Sequence, residues 1–160
     1  SQREAEPIAM HFLPEGFNVF VIYYSVDPHR FPTQLREVAA TVELIYKNAD
    51  EWNCDVSKLA IVGFSAGGHL AAHYSTMYDC KEVREVFPES KPVDASVLSY
   101  HTGIWAVLII CSAKRNARKR KSIISPVTDV LPSIRRLRTY GILQQMTVFL
   151  SRTAFYMPAR

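Results

Sequence analysis

Gly63-Phe64-Ser65-Ala66-Gly67-Gly68-His69-Leu70 follows the short apolar run Lys58-Leu59-Ala60-Ile61-Val62 and precedes Leu70-Ala71-Ala72-His73-Tyr74. The first segment suits a buried strand and the last can be helical, so the octapeptide reads as a sharp turn from strand into helix. Gly-x-Ser-x-Gly in that setting needs small neighbours, and Gly63 and Gly67 are the residues expected to relieve crowding around the turn. Ser65 is then the candidate nucleophile, its hydroxyl projecting above the sheet. The backbone N–H of Ala66, at the start of the following helix, is the candidate oxyanion donor for acyl transfer. As a bare string, Gly-x-Ser-x-Gly also fits a tight turn with no chemistry; the flanking strand and helix favour the catalytic reading.

Outward from this turn the chain alternates helix and strand. Arg3 to Leu13 can form an amphipathic helix closed by Pro14-Glu15-Gly16. Phe17 to Tyr24 is almost continuously β-branched and aromatic, as in a strand covered on both faces. Asp27 to Pro32 reads as a loop, and a helix is expected from about Thr33 to Trp52. Asn53 to Ser57 is the expected turn into the strand before Ser65. After Asp79 to Pro92, polar and irregular, Val93 to Tyr100 reads as another strand. The alternation predicts an α/β architecture with a parallel sheet and right-handed crossovers.

These residues carry a family resemblance. Arg3-Glu4-Ala5-Glu6-Pro7, Tyr23-Tyr24-Ser25-Val26, Gly63 to Ala71 and Leu98-Ser99-Tyr100 together resemble α/β-hydrolases of the acetyl-esterase and xylan-esterase-like group. The resemblance covers about residues 1–100. It implies a serine esterase acting on short acyl esters, acetyl groups on carbohydrates among them, built as a three-layer α/β/α sandwich with a parallel sheet. In that group a glycine-rich oxyanion loop lies a few residues before the Arg-Glu-Ala-Glu-Pro-like segment, so the sandwich is expected to be partial and the second oxyanion donor missing. The triad order in this fold is Ser, then Asp or Glu, then His. The histidines are His11, His29, His69, His73 and His101, and none follows Asp129. Asp94, between Ser65 and His101, opens a strand instead of ending one. No convincing triad assembles, and little or no esterase activity is expected.

The net charge of +4 conceals two unlike halves. Residues 1–100 carry eight Lys/Arg against fourteen acids, whereas residues 101–160 carry eleven against Asp129 alone. The expected division is therefore a partial hydrolase domain over 1–100 and a basic, poorly structured tail over 101–160. Reading possible codons of the tail from their third base lets Tyr140 to Pro158 spell a segment like the family's catalytic-Asp region, with an Asp forced across Met146-Thr147. Gly103 to Ala113 can likewise encode a family-like stretch, with a glycine forced across Trp105-Ala106. Out-of-frame translation from about His101 is the resulting hypothesis, although most other positions depend on a free choice of wobble base.

The remaining signals point to no further chemistry. Cys54, Cys80 and Cys111 have neither a disulfide pattern nor metal-ligand spacing, so thiols in a reducing, cytoplasmic interior are expected. His69 and His73 have a zinc-like spacing, but Leu70 stands where a zincin needs Glu, and no metal or cofactor is expected. Lys114 to Lys121 could attract polyanions without specificity, so no specific nucleic acid is expected. Ile104 to Cys111 looks like a strand, too short to span a bilayer, and is read as an exposed, sticky segment. No signal peptide is seen, and neither membrane attachment nor an oligomeric state is indicated. A small-molecule ester is the expected partner. The competing reading is a non-enzymatic interaction protein, a hydrolase-like scaffold whose basic tail holds an acidic partner.

Overall fold

The computed structural model describes residues 2–99, 106–113 and 145–149. His101, the Lys114 to Lys121 run and Asp129 lie outside these described residues. Helix α1 (Gln2–Phe12) leads through a turn at Gly16 into β1 (Phe17–Tyr23), and α2 (Thr33–Lys47) leads into β2 (Cys54–Phe64). Then follow α3 (Ala66–Met77), the short α4 (Lys81–Arg84), β3 (Ala95–Ser99), β4 (Ala106–Ala113) and β5 (Gln145–Phe149).

The five strands form one sheet in the order β3-β2-β4-β1-β5. β2 pairs parallel with β3, while β4 is antiparallel to both β1 and β2, and β5 is antiparallel to β1. The sheet is therefore mixed, which corrects the parallel expectation. Its origin is local: β1, β2 and β3 run one way, as helical crossovers dictate, and the two strands after Tyr100 run the other way.

Alternation along each strand sends successive side chains to opposite faces. Phe20, Ile22, Leu59, Ile61, Val107 and Ile109 meet a cluster that includes Leu35, Val38 and Val42 of α2 and Leu70 and Tyr74 of α3. Val19, Val21, Val62, Leu108 and Ile110 meet Ala5 and Ala9 of α1 on the other face. Each fully buried aliphatic side chain contributes about 1.5–3 kcal/mol from removal of apolar surface. Val107, Leu108 and Ile109 are completely buried between β1 and β2, so this stretch is a central strand and not an exposed one.

Two boundaries also differ from the sequence expectation. α2 stops at Lys47, where the Asn48 side chain donates to the Leu44 carbonyl at 2.7 Å, and residues after it turn toward Asn53, which has φ +54°. β2 begins at Cys54, so the polar residues expected as a turn start a strand. A bulge between Asp55 and Leu59 accommodates them, with Asp55 Oδ1 accepting from the Ser57 amide at 3.2 Å.

Candidate active site

Ser65 is the single residue between β2 and α3, with φ +50° and ψ −118°. A non-glycine residue there stores strain of order 1–3 kcal/mol and persists only where its surroundings impose it. Here they do. Ser65 N–H donates to the Ser99 carbonyl at the end of β3 (3.1 Å), and the Ser65 carbonyl accepts from His69 N–H (3.0 Å). The turn is fixed at both ends by backbone hydrogen bonds.

Close backbone approach requires glycine at 63 and crowds position 68. A Cβ on Gly63 would lie against the Gly67 carbonyl oxygen, 2.6 Å from its carbon and 2.7 Å from Gly68 N. Gly68 is the further case, since a Cβ there would come within 3.2 Å of the Gly63 carbonyl oxygen and 3.4 Å of the Ser99 carbonyl oxygen. Sequence reasoning gave Gly68 no role, although the Gly67-Gly68 doublet was a usable signal. Ala66 opens a helix of 12 residues, and its N–H belongs to the first turn, whose amides have no acceptor within the helix.

Beside this turn lies a cleft of about 310 Å³, lined among others by Tyr24, His29, Phe31, Ala66, His69 and His73. It touches Ala66 and not Ser65. His69 and His73 pack side by side, ring centroids 4.2 Å apart and planes tilted by 47°. Among the described residues no group of three or more His, Cys, Asp or Glu could hold a metal ion. The opposite wall is the loop after β1, braced by Gln34, whose side-chain amide donates to the Ser25 carbonyl at 3.1 Å and the His29 carbonyl at 3.0 Å. Burial pushes the Tyr24 phenol up to about 12, so it stays protonated at neutral pH.

The carboxylates near the cleft are already engaged. Asp27 pairs with Arg30 at 3.2 Å on the exposed rim. Glu37 is buried and accepts from Ser25 N–H at 2.8 Å and Ser25 Oγ–H at 2.6 Å. Burial pushes the Glu37 carboxyl above the ordinary glutamate value, against the two Ser25 bonds, which lower it. This clamp from α2 to the loop after β1 was not read from the sequence, where Glu37 is one polar residue on an amphipathic helix.

Asp94 is tied to the far end of the sheet. Its Oδ2 accepts from Leu59 N–H at 2.8 Å, and its own N–H donates to the Leu59 carbonyl at 2.7 Å. Six residue steps lead from Leu59 along β2 to Ser65, a span of about 20 Å. Asp94 closes the β2–β3 pairing and cannot orient a base at Ser65. His11 lies in the last turn of α1, on the opposite face of the sheet from α3.

A family model described as BD-FAE matches residues 1–124, continuing past Tyr100, where the sequence reading ends its resemblance. Endo-1,4-beta-xylanase B of Butyrivibrio fibrisolvens is 36% identical over 107 residues, covering 61% of this chain and 16% of that protein. Esterase LipC of Mycobacterium tuberculosis is 31% identical over 94 residues, 57% of this chain and 23% of LipC. A putative alpha/beta hydrolase of Acanthamoeba polyphaga mimivirus is 40% identical over 57 residues, 34% of this chain and 16% of that protein. The chain thus spans less than a quarter of the length of each of these relatives. No solved structure matches.

Proposed function

Because the chain belongs to the BD-FAE family of α/β-hydrolase-like esterases, we propose that Ser65 is the nucleophile of a carboxylic-ester hydrolase acting on short acyl esters. Acetyl groups on carbohydrates are the preferred substrates in this reading, and the whole domain is a three-layer sandwich of α/β-hydrolase type. The observation that carries the proposal is the backbone of Ser65, φ +50° and ψ −118°, held between a strand and a helix by Ser99 and His69. Ser65 Oγ attacks the ester carbonyl and the Ala66 N–H receives the developing oxyanion. The alcohol leaves, and water then releases the acid from the acyl-enzyme. Gly63 and Gly67 hold the turn in shape.

Turnover by this chain is proposed to be low. Asp27 is engaged by Arg30, Glu37 by Ser25 and Asp94 by Leu59, so none of these carboxylates is placed to orient a histidine toward Ser65. Residual catalysis without an assembled triad is about 10³–10⁴-fold over water.

Hydrolysis of a short-chain nitrophenyl ester by the purified chain tests both parts. Slow nitrophenol release that disappears in Ser65→Ala is the expected result. Rapid multiple turnover lost in Ser65→Ala would retain the nucleophile and overturn the low-activity proposal. Release that is equal in Ser65→Ala would overturn the nucleophile itself.

A further inference from the structure

Three strands bring two thiols and an amide into one cluster on the α2–α3 face of the sheet. Asn18 of β1 stands directly opposite Cys111 of β4 in the strand register. Cys54 opens β2 on the other side of β4, opposite Ala113 and thus diagonal to Cys111. Asn18 Nδ2 lies 3.3 Å from Cys54 Sγ and 4.0 Å from Cys111 Sγ, and also donates to the carbonyls of Trp52 (3.1 Å) and Asn53 (3.3 Å). A single amide nitrogen therefore reaches both sulfurs. Both cysteines are completely buried and no disulfide joins them. Cys80 stands apart, at the N-terminus of α4, partly exposed.

We propose that Cys54 and Cys111 are a specific oxidation site, closing to a disulfide that staples β2 to β4 when the chain folds or is held under oxidising conditions. The oxidant is a hydroperoxide such as hydrogen peroxide. One sulfur attacks a peroxide oxygen and becomes a sulfenic acid while the O–O bond breaks and water leaves. The second sulfur attacks the sulfenic sulfur, the S–S bond forms, and the S–O bond breaks to release a second water. Two thiols lose two electrons in total, the peroxide gains them, and both thiol protons end in water.

The surroundings set the rate. A hydrogen bond with Cys54, followed by burial, pushes the Cys111 thiol far above the usual thiol range. The thiolate is the reactive form, so the native chain reacts slowly and a refolding chain quickly. In a reducing compartment the pair remains as thiols. Once formed, the bond would link the strand that leads to Ser65 with the strand at the sheet's centre and restrict the unfolded chain between residues 54 and 111. The proposal does not depend on the ester-hydrolase reading.

Peptide mapping of the whole chain tests it, because trypsin places Cys54 in Asn48–Lys58, Cys80 in Leu59–Lys81 and Cys111 in Glu85–Lys114. The chain is incubated with hydrogen peroxide in native buffer and, separately, refolded from urea with peroxide, and remaining thiols are alkylated before digestion. The expected product links Asn48–Lys58 to Glu85–Lys114 and leaves Cys80 alkylated, with faster formation on refolding and an unchanged yield in Cys80→Ser. The oxidised chain should melt about 5–10 °C higher and return to its original value after reduction by dithiothreitol. Absence of the Cys54–Cys111 peptide in both arms, or equal amounts of pairings involving Cys80, would overturn the proposal. Mapping the unmodified chain makes the outcome independent of whether Cys54 or Cys111 variants fold.

Discussion

Ser65 holds φ +50° and ψ −118° although it has a Cβ, and the cost falls on the residue that the proposed chemistry uses. Glycine tolerates that backbone region, and alanine shares the strain of serine while losing the hydroxyl. Ser65→Gly should therefore exceed Ser65→Ala in stability by about 1 kcal/mol, the released strain being partly offset by the greater entropy of the unfolded glycine chain. Urea unfolding of the two variants measures the difference; equal midpoints would mean that the turn stores no strain. Glu37 is the other residue in tension. Burial raises its pKa, so the folded chain binds that proton more tightly than the unfolded chain does. Its contribution to stability is present at low pH and declines as pH rises through the folded value, which burial raises above the ordinary glutamate value. In Glu37→Gln this decline should vanish from a plot of stability against pH, while the loss of one of the two oxygens that accept from Ser25 costs about 1–3 kcal/mol at low pH. An unchanged slope would assign the pH dependence to other groups.

At the scale of elements, β4 is the strand on which the fold turns. Ile109 is completely buried in the cluster shared with α2 and α3, so Ile109→Ala should destabilise the chain by about 2–5 kcal/mol in thermal or urea unfolding. A loss below about 0.5 kcal/mol, as at an exposed site, would contradict the central position of β4. The apolar character of this segment was legible, but its burial was not. An apolar run signals a strand without saying which neighbours receive it, and β4 meets β1 and β2 through pairings distant in sequence. The elements α1, β1 and α3 were legible because local periodicity and turn residues agree there. The end of α2 was missed because the residues after Lys47 retain apolar positions, Ala49 and Trp52, that bury outside the helix. The turn at Ser65 was readable because its glycines answer a local steric demand. The Ser25–Glu37 clamp and the Asn18–Cys54–Cys111 cluster were not, since each forms only when separate elements dock.

At the scale of the molecule, the change of charge near Tyr100 coincides with a reversal of strand direction, from the co-directional β1, β2 and β3 to the opposed β4 and β5. We propose out-of-frame translation from about His101 as the origin of the charge change, with a hydrolase-encoded part over 1–100 and a basic tail over 101–160 whose strand β4 is built into the same sheet. The family match to residue 124 weighs against a break at that position. Sequencing the gene decides: a shifted base near the Tyr100 codon is the expected result, and an intact family reading frame that encodes this tail would overturn it. Whether Ser65 is the nucleophile is read by mass spectrometry after exposure to p-nitrophenyl acetate. One acetyl group is expected on the peptide Leu59–Lys81, located at Ser65, accumulating because deacylation is slow and absent from Ser65→Ala. No acetylation at Ser65, together with nitrophenol release that persists in Ser65→Ala, would contradict it.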